Sequence, residues 1–292
     1  MSELEVEQSK THTQENFPVA SMLIAPQYRA AILAYYRFVR GADDVVDNGA
    51  LTSSQKLAGL DAFEAALLGR SDEIAAARPL RAILAEKNLS PRHALDVLRA
   101  FRKDAVKNRY ASWDELMEYC AYSAAPVGRF VLDVHGESEA TWPASDALCS
   151  ALQVINHLQD CAADYRNLDR VYIPQDALDA QGIGVEALTA KKASPELRAC
   201  INGLVAKTDA LIDVGVGLPG GVRDFRLRLE TAVIARLARR LNQLLGQRDP
   251  LSEKVHLGKP AFIGWTCVGV LSGLATVARR KAPAAIKQAG GA

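Results

Sequence analysis

From about Tyr28 onward, apolar residues recur at spacings of three and four rather than two. Tyr28, Ile32, Tyr35, Tyr36 and Val39 form one stripe. Leu57, Leu60, Phe63, Leu67 and Leu68 form a second, and Leu95, Leu98 and Phe101 a third. That period puts each set on one face of a helix. The stripes break at Pro26, Gly49, Gly69, Pro79, Pro91, Pro143, Pro174, Pro195, the Pro219-Gly220-Gly221 run and Pro250, as helix punctuation does. Ser112 followed by Glu115 is a capping-box start. No long alternating run predicts a strand, and no fixed-period repeat appears. The pattern predicts one all-α domain, preceded by a polar tail over residues 1–15.

Composition changes this little. A chain of 292 residues, 49% apolar and 24% charged, is ample for one large core. Its 35 basic and 34 acidic residues leave a net charge of +1, so no nucleic-acid partner is expected. The cysteines, Cys120, Cys149, Cys161, Cys200 and Cys267, match no zinc or CxxC spacing. They read as reduced thiols of a cytoplasmic protein. The N-terminus has no basic stretch leading into an apolar run, so no signal peptide is expected. Residues 261–278 are uncharged and run into Arg279, Arg280 and Lys281. Two readings stay open for residues 259–292: a buried C-terminal helix, or one touching a membrane surface with its basic residues at the headgroups. Gly269 and Gly273 add a GxxxG, a weak sign of close helix packing.

The candidate chemistry lies in two polar motifs. In the first, Asp43 and Asp47 are four apart on a helix and share a face, with Asp44 beside them. Three like charges near a helix C-terminus oppose one another and the macrodipole, so something should bind there. In the second, Asn156, Asp160 and Asp164 fall at i, i+4 and i+8, with Gln153 ahead of them. His157 reads as pointing off that stripe. Polar groups on a core-facing stripe cost several kcal/mol when unpaired. Either motif alone is as readily a solvated helix face. Together they offer only oxygen ligands, which suits a hard cation such as Mg²⁺ bridging to a diphosphate. Such a metal stabilises charge on a departing diphosphate. No GxGxxG or GxSxG signature appears.

At these motifs the chain resembles the squalene/phytoene synthase family. The likeness is carried also by Asn16–Ser21, by Tyr35-Tyr36-Arg37-Phe38-Val39-Arg40, by Tyr119 to Arg129, and by Asp169-Arg170-Val171-Tyr172-Ile173-Pro174. It implies an isoprenoid synthase-type bundle around a deep apolar cavity, with residues 16–258 as the catalytic domain. It assigns Asp43, Asp44, Asp47, Asn156, Asp160 and Asp164 to Mg²⁺, and Asp43, Asp47, Asp160 and Asp164 to catalysis. Arg40 and Arg170 would contact diphosphate. Phe17, Tyr36, Tyr119, Val127, Gly128 and Gln153 would line the pocket, and Lys259 is a further candidate for a phosphate contact. Within the family, Gln159 and Ala163 stand where two-substrate members carry Arg and an acid. The run resembles the bacterial hydroxysqualene-forming branch of hopanoid synthesis. That implies presqualene diphosphate as substrate, water as the second reactant and no NADPH. Two alternatives stay open: condensation of farnesyl or geranylgeranyl diphosphates, and a non-catalytic lipid-handling role. Peripheral membrane contact and coupling to other squalene-pathway enzymes are further expectations.

Overall fold

The computed structural model describes residues 23–281. The predicted tail over residues 1–15, the Asn16–Ser21 segment and Phe17 lie outside them. The first helices are α1 (Pro26–Asp47), α2 (Ser53–Leu67), α3 (Ala77–Glu86), α4 (Arg92–Asp104), α5 (Trp113–Ser123) and α6 (Ala125–Val134). They are followed by α7 (Trp142–Leu168), α8 (Gln175–Asp179), α9 (Pro195–Gly215), α10 (Leu218–Gly221), α11 (Phe225–Gln247) and α12 (Lys259–Lys281). Among the described residues there is no strand, only an isolated bridge between Arg109 and Val171.

Local chemistry starts these helices where the sequence marks them. Pro sits in the first turn of α1, α6, α7 and α9, where its missing N–H is no loss. Thr52 and Gln55 form a reciprocal capping box on α2. Ser112, Ser194 and Asp224 cap α5, α9 and α11 by accepting backbone N–H bonds.

The apolar stripes bury two adjoining cores. One joins α1 to α4 through Phe38, Leu60, Phe63, Leu80 and Leu98, and takes Phe130 from α6. The other is built on α7, α9 and α11, with Ile155, Leu158, Leu204, Ile212 and Leu241. A cavity of about 530 Å³ lies between them, walled by α1, α4, α5, α6, α7 and α11. Gly128 lets α6 approach α7, because a Cβ there would sit 2.4 Å from Ser145 Oγ.

α12 packs one face on α11 and leaves the other outward. Ile263, Leu271 and Leu274 are 63%, 66% and 42% exposed. Among the described residues no helix is long and apolar enough to cross a membrane. The glycines of the GxxxG face α11: a Cβ on Gly269 would lie 2.5 Å from Val233 Cα, and one on Gly273 2.8 Å from Leu229 Cδ2.

This contact is testable by paired substitutions. Gly269→Ala must push α12 off α11 and should cost about 1–3 kcal/mol, as overpacking does. Gly264→Ala meets nothing within 4 Å and should gain up to about 1 kcal/mol of helix propensity. Urea unfolding, with hydrogen exchange of the α12 amides, reads both.

Candidate active site

The two polar motifs face each other across the cavity. Asp43 and Asp47 line it from α1, and Gln153, Asn156, Asp160 and Asp164 line it from α7. Arg40, Tyr36, Tyr119, Val127, Gly128 and Arg170 line it as well. Asp44, expected among the metal ligands, is not on that wall. One residue along a helix turns a side chain by about 100°, so Asp44 faces inward. There its carboxylate, 5% exposed, meets Arg40 Nη2 at 2.9 Å. Arg40 Nη1 donates to Asp43 at 2.9 Å. The protein's own guanidinium therefore bridges two of the three clustered charges. The side chain of Lys259 is outside the described residues.

Arg170 reaches the site through a local device. α7 ends on Asp169, which adopts a left-handed conformation with φ 50°. Such a φ is uncommon outside glycine. Arg109 holds the turn by donating to the Asp169 carboxylate at 2.5 Å and to its carbonyl. Val171 N–H then donates to Asn108 carbonyl at 2.9 Å. The reversed chain points Arg170 into the cavity mouth, where Nη1 donates to Asp47 at 2.9 Å.

Beneath these groups lies a carboxylate that the acidic motifs do not reveal. Asp104, at the end of α4, is 4% exposed. It accepts from Tyr119 at 2.6 Å, and from Tyr110 and Tyr172 at 3.3 Å. The sequence did carry a signal: Asp104 falls three residues after Phe101, in phase with a buried stripe. Tyr172 stacks on His157, with ring centroids 3.4 Å apart. His157 lines the cavity, four residues after Gln153 and so on the same face. Its expected position off the stripe is corrected by that spacing. Gln159, by contrast, donates to the Val255 carbonyl and does not line the cavity.

The electrostatics follow from crowding. Burial, then the neighbouring Asp47, pushes Asp43 up to about 7. Burial pushes Asp104 up to about 6 against the opposing pull of Arg170 and Tyr119. Burial, helped by Arg170, lowers His157 to about 3, so its ring is neutral. A site holding two strained carboxylates is suited to a cation. Among the described residues, no three His, Cys, Asp or Glu side chains form a ready-made metal cage.

The sign of the Asp43 shift sets a pH test. Between its ordinary value and about 7 the folded protein holds a proton that the unfolded chain has lost, so this group's contribution to stability falls as pH rises. In chelator-treated protein, Asp43→Asn should therefore gain in Tm over the unmodified protein as pH goes from 5 to 8. A difference that shrinks or stays level over that range would contradict the shift.

Comparison with known proteins agrees with the fold. The squalene/phytoene synthase family matches residues 10–261. A hydroxysqualene synthase of Sinorhizobium fredii is 55% identical over 246 residues, covering 84% of each chain. One of Rhodopseudomonas palustris is 54% identical, covering 89% of each. The crystal structure of squalene synthase HpnC from Alicyclobacillus acidocaldarius superposes with a TM-score of 0.71 at 33% identity, covering 81% of this chain and 90% of that one. With the fold, the facing motifs and these relatives in agreement, the chain belongs to the squalene/phytoene synthase family.

Proposed function

We propose that the protein converts presqualene diphosphate and water into hydroxysqualene and diphosphate. The observation that carries this reading is the charge inventory of the cavity. Arg40 and Arg170 are the cationic side chains on its described wall. Gln159, where the resembled two-substrate members carry arginine, is a neutral amide turned to the Val255 carbonyl. That complement suits one diphosphate rather than two. The relatives at 54–55% identity carry the same activity in their names.

The residues divide the work along the cavity. Asp43, Asp47, Asn156, Asp160 and Asp164 would hold Mg²⁺, which when bound neutralises charge on the leaving diphosphate. Arg40 and Arg170 offer planar forks for phosphate oxygens. Ile32, Phe101, Phe130, Leu148 and Leu152 keep the inner wall apolar and exclude bulk water from the cation left behind. The faces of Tyr36 and Tyr119 are available to stabilise it. The reaction ends on water, so NADPH is not consumed.

The outward face of α12 supports work at a membrane surface. Ile263, Val268, Leu271 and Leu274 are exposed on it. Residues 259–292 contain five basic residues and no acidic one. An apolar face with basic flanks suits an anionic lipid surface, where a very apolar product would be released. The protein thus works on the cytoplasmic side as a peripheral enzyme.

Purified protein given presqualene diphosphate and Mg²⁺ without NADPH should form hydroxysqualene, and Asp160→Ala should slow it at least about a hundredfold, as loss of transition-state charge stabilisation does. Formation of squalene only with NADPH, or of products only from farnesyl diphosphate, would overturn the reading. For the surface, the full chain should pellet with vesicles containing anionic lipid, and an Ile263→Glu/Leu271→Glu double variant should not. Equal pelleting of the two would remove α12 from the contact.

A further inference from the structure

We propose that Gln153 and His157 together hold the water that captures the carbocation, and so decide that the product is an alcohol. This rests on the reaction proposed above and names the residues that set its outcome.

The pair sits at a boundary in the cavity wall. Along α7 the pair lies between the carboxylates Asp160 and Asp164 on one side and Leu152, Cys149 and Leu148 on the other, all of which line the cavity. At 1.5 Å of rise per residue, His157 is about 4–5 Å along the axis from Asp160. A cation formed where the diphosphate departs meets this level first. Gln153 Nε2 lies 3.1 Å from His157 Nε2. Among the described residues neither side chain makes another hydrogen bond. The amide keeps its oxygen and a second N–H, and the imidazole keeps its other ring nitrogen. A held water needs two to four polar partners, and the pair provides them.

The ring is fixed in place. Stacking on Tyr172 at 14° between planes orients its edge, and Tyr172 is itself held by Asp104.

The chemistry balances. The substrate C–O bond breaks and both electrons leave on the diphosphate. A lone pair of the held water forms the new C–O bond. The oxonium proton passes to an oxygen of the released diphosphate. Without a placed water, the cation instead loses a proton from an adjacent carbon and gives a hydrocarbon with a new C=C bond.

The test is the product ratio per diphosphate released, which does not depend on the overall rate. The full-length protein would be assayed with presqualene diphosphate and Mg²⁺ in ¹⁸O-labelled water, beside His157→Phe and Gln153→Met. His157→Phe keeps the ring on Tyr172, and Gln153→Met keeps the length. Each should lower the labelled-alcohol share about tenfold, the scale of one lost hydrogen bond, with hydrocarbons making up the balance. His157→Gln should restore part of it. Alcohol at the unmodified share from both variants would overturn the proposal. Should one variant fail to fold, the other carries the test with the same two outcomes. If the unmodified protein itself forms no alcohol, the underlying reaction falls, and the water site with it, before any variant is compared.

Discussion

The guanidinium of Arg170 holds the mouth of the cavity together. It donates to Asp47 on α1, to the Tyr172 hydroxyl and to the Asp104 carbonyl at the end of α4. Three segments far apart in sequence are thus tied at one point. A buried cation of this kind needs its partners, since an unpaired charge in the interior costs several kcal/mol. The same need makes the carboxylates tolerable. Asp47 and Asp104 would repel each other and Asp43 without the positive charge among them.

A layered site follows. Nearest the mouth are carboxylates that exceed the cations facing them, and burial, with Asp47 alongside, pushes Asp43 upward. Beneath them lies the Asp104–tyrosine cluster, where the three phenols compensate a buried carboxylate. Those aromatic faces form the floor against which His157 is stacked. Farther in, the wall turns apolar where α6 and α7 close on each other at Gly128. The gradient from charged mouth to apolar interior suits a substrate with one diphosphate and a long hydrocarbon body. Preorganised polar groups count for more here than in water, because the cavity excludes it.

α12 stands outside this machinery but is joined to it. Its glycines press on Leu229 and Val233 of α11, while Glu230, Thr231 and Ile234 on the same helix line the cavity. Gln159 ties α7 to the segment leading into α12 through the Val255 carbonyl. The residue that distinguishes the second motif is therefore a structural tie in this chain.

By itself the sequence determined the helices and the two facing motifs. Three-and-four spacing of apolar residues, prolines in first turns and serine caps are local signals, and local signals survive in one dimension. Asp43, Asp47, Asn156, Asp160 and Asp164 were legible because helix periodicity alone puts them on shared faces. Only the tertiary structure decided where neighbours across the bundle point. It turned Asp44 away from the cavity onto Arg40, brought His157 into the cavity against Tyr172, and made Asp104 part of the site. It also divided α12 into a packed face and an exposed one, which uncharged residues 261–278 could not show. The Asp104 cluster and the two faces of α12 depend on contacts between segments distant in the chain, which no spacing within one helix encodes, whereas Asp44 on Arg40 and His157 beside Gln153 are four-residue spacings whose surroundings alone the fold supplied.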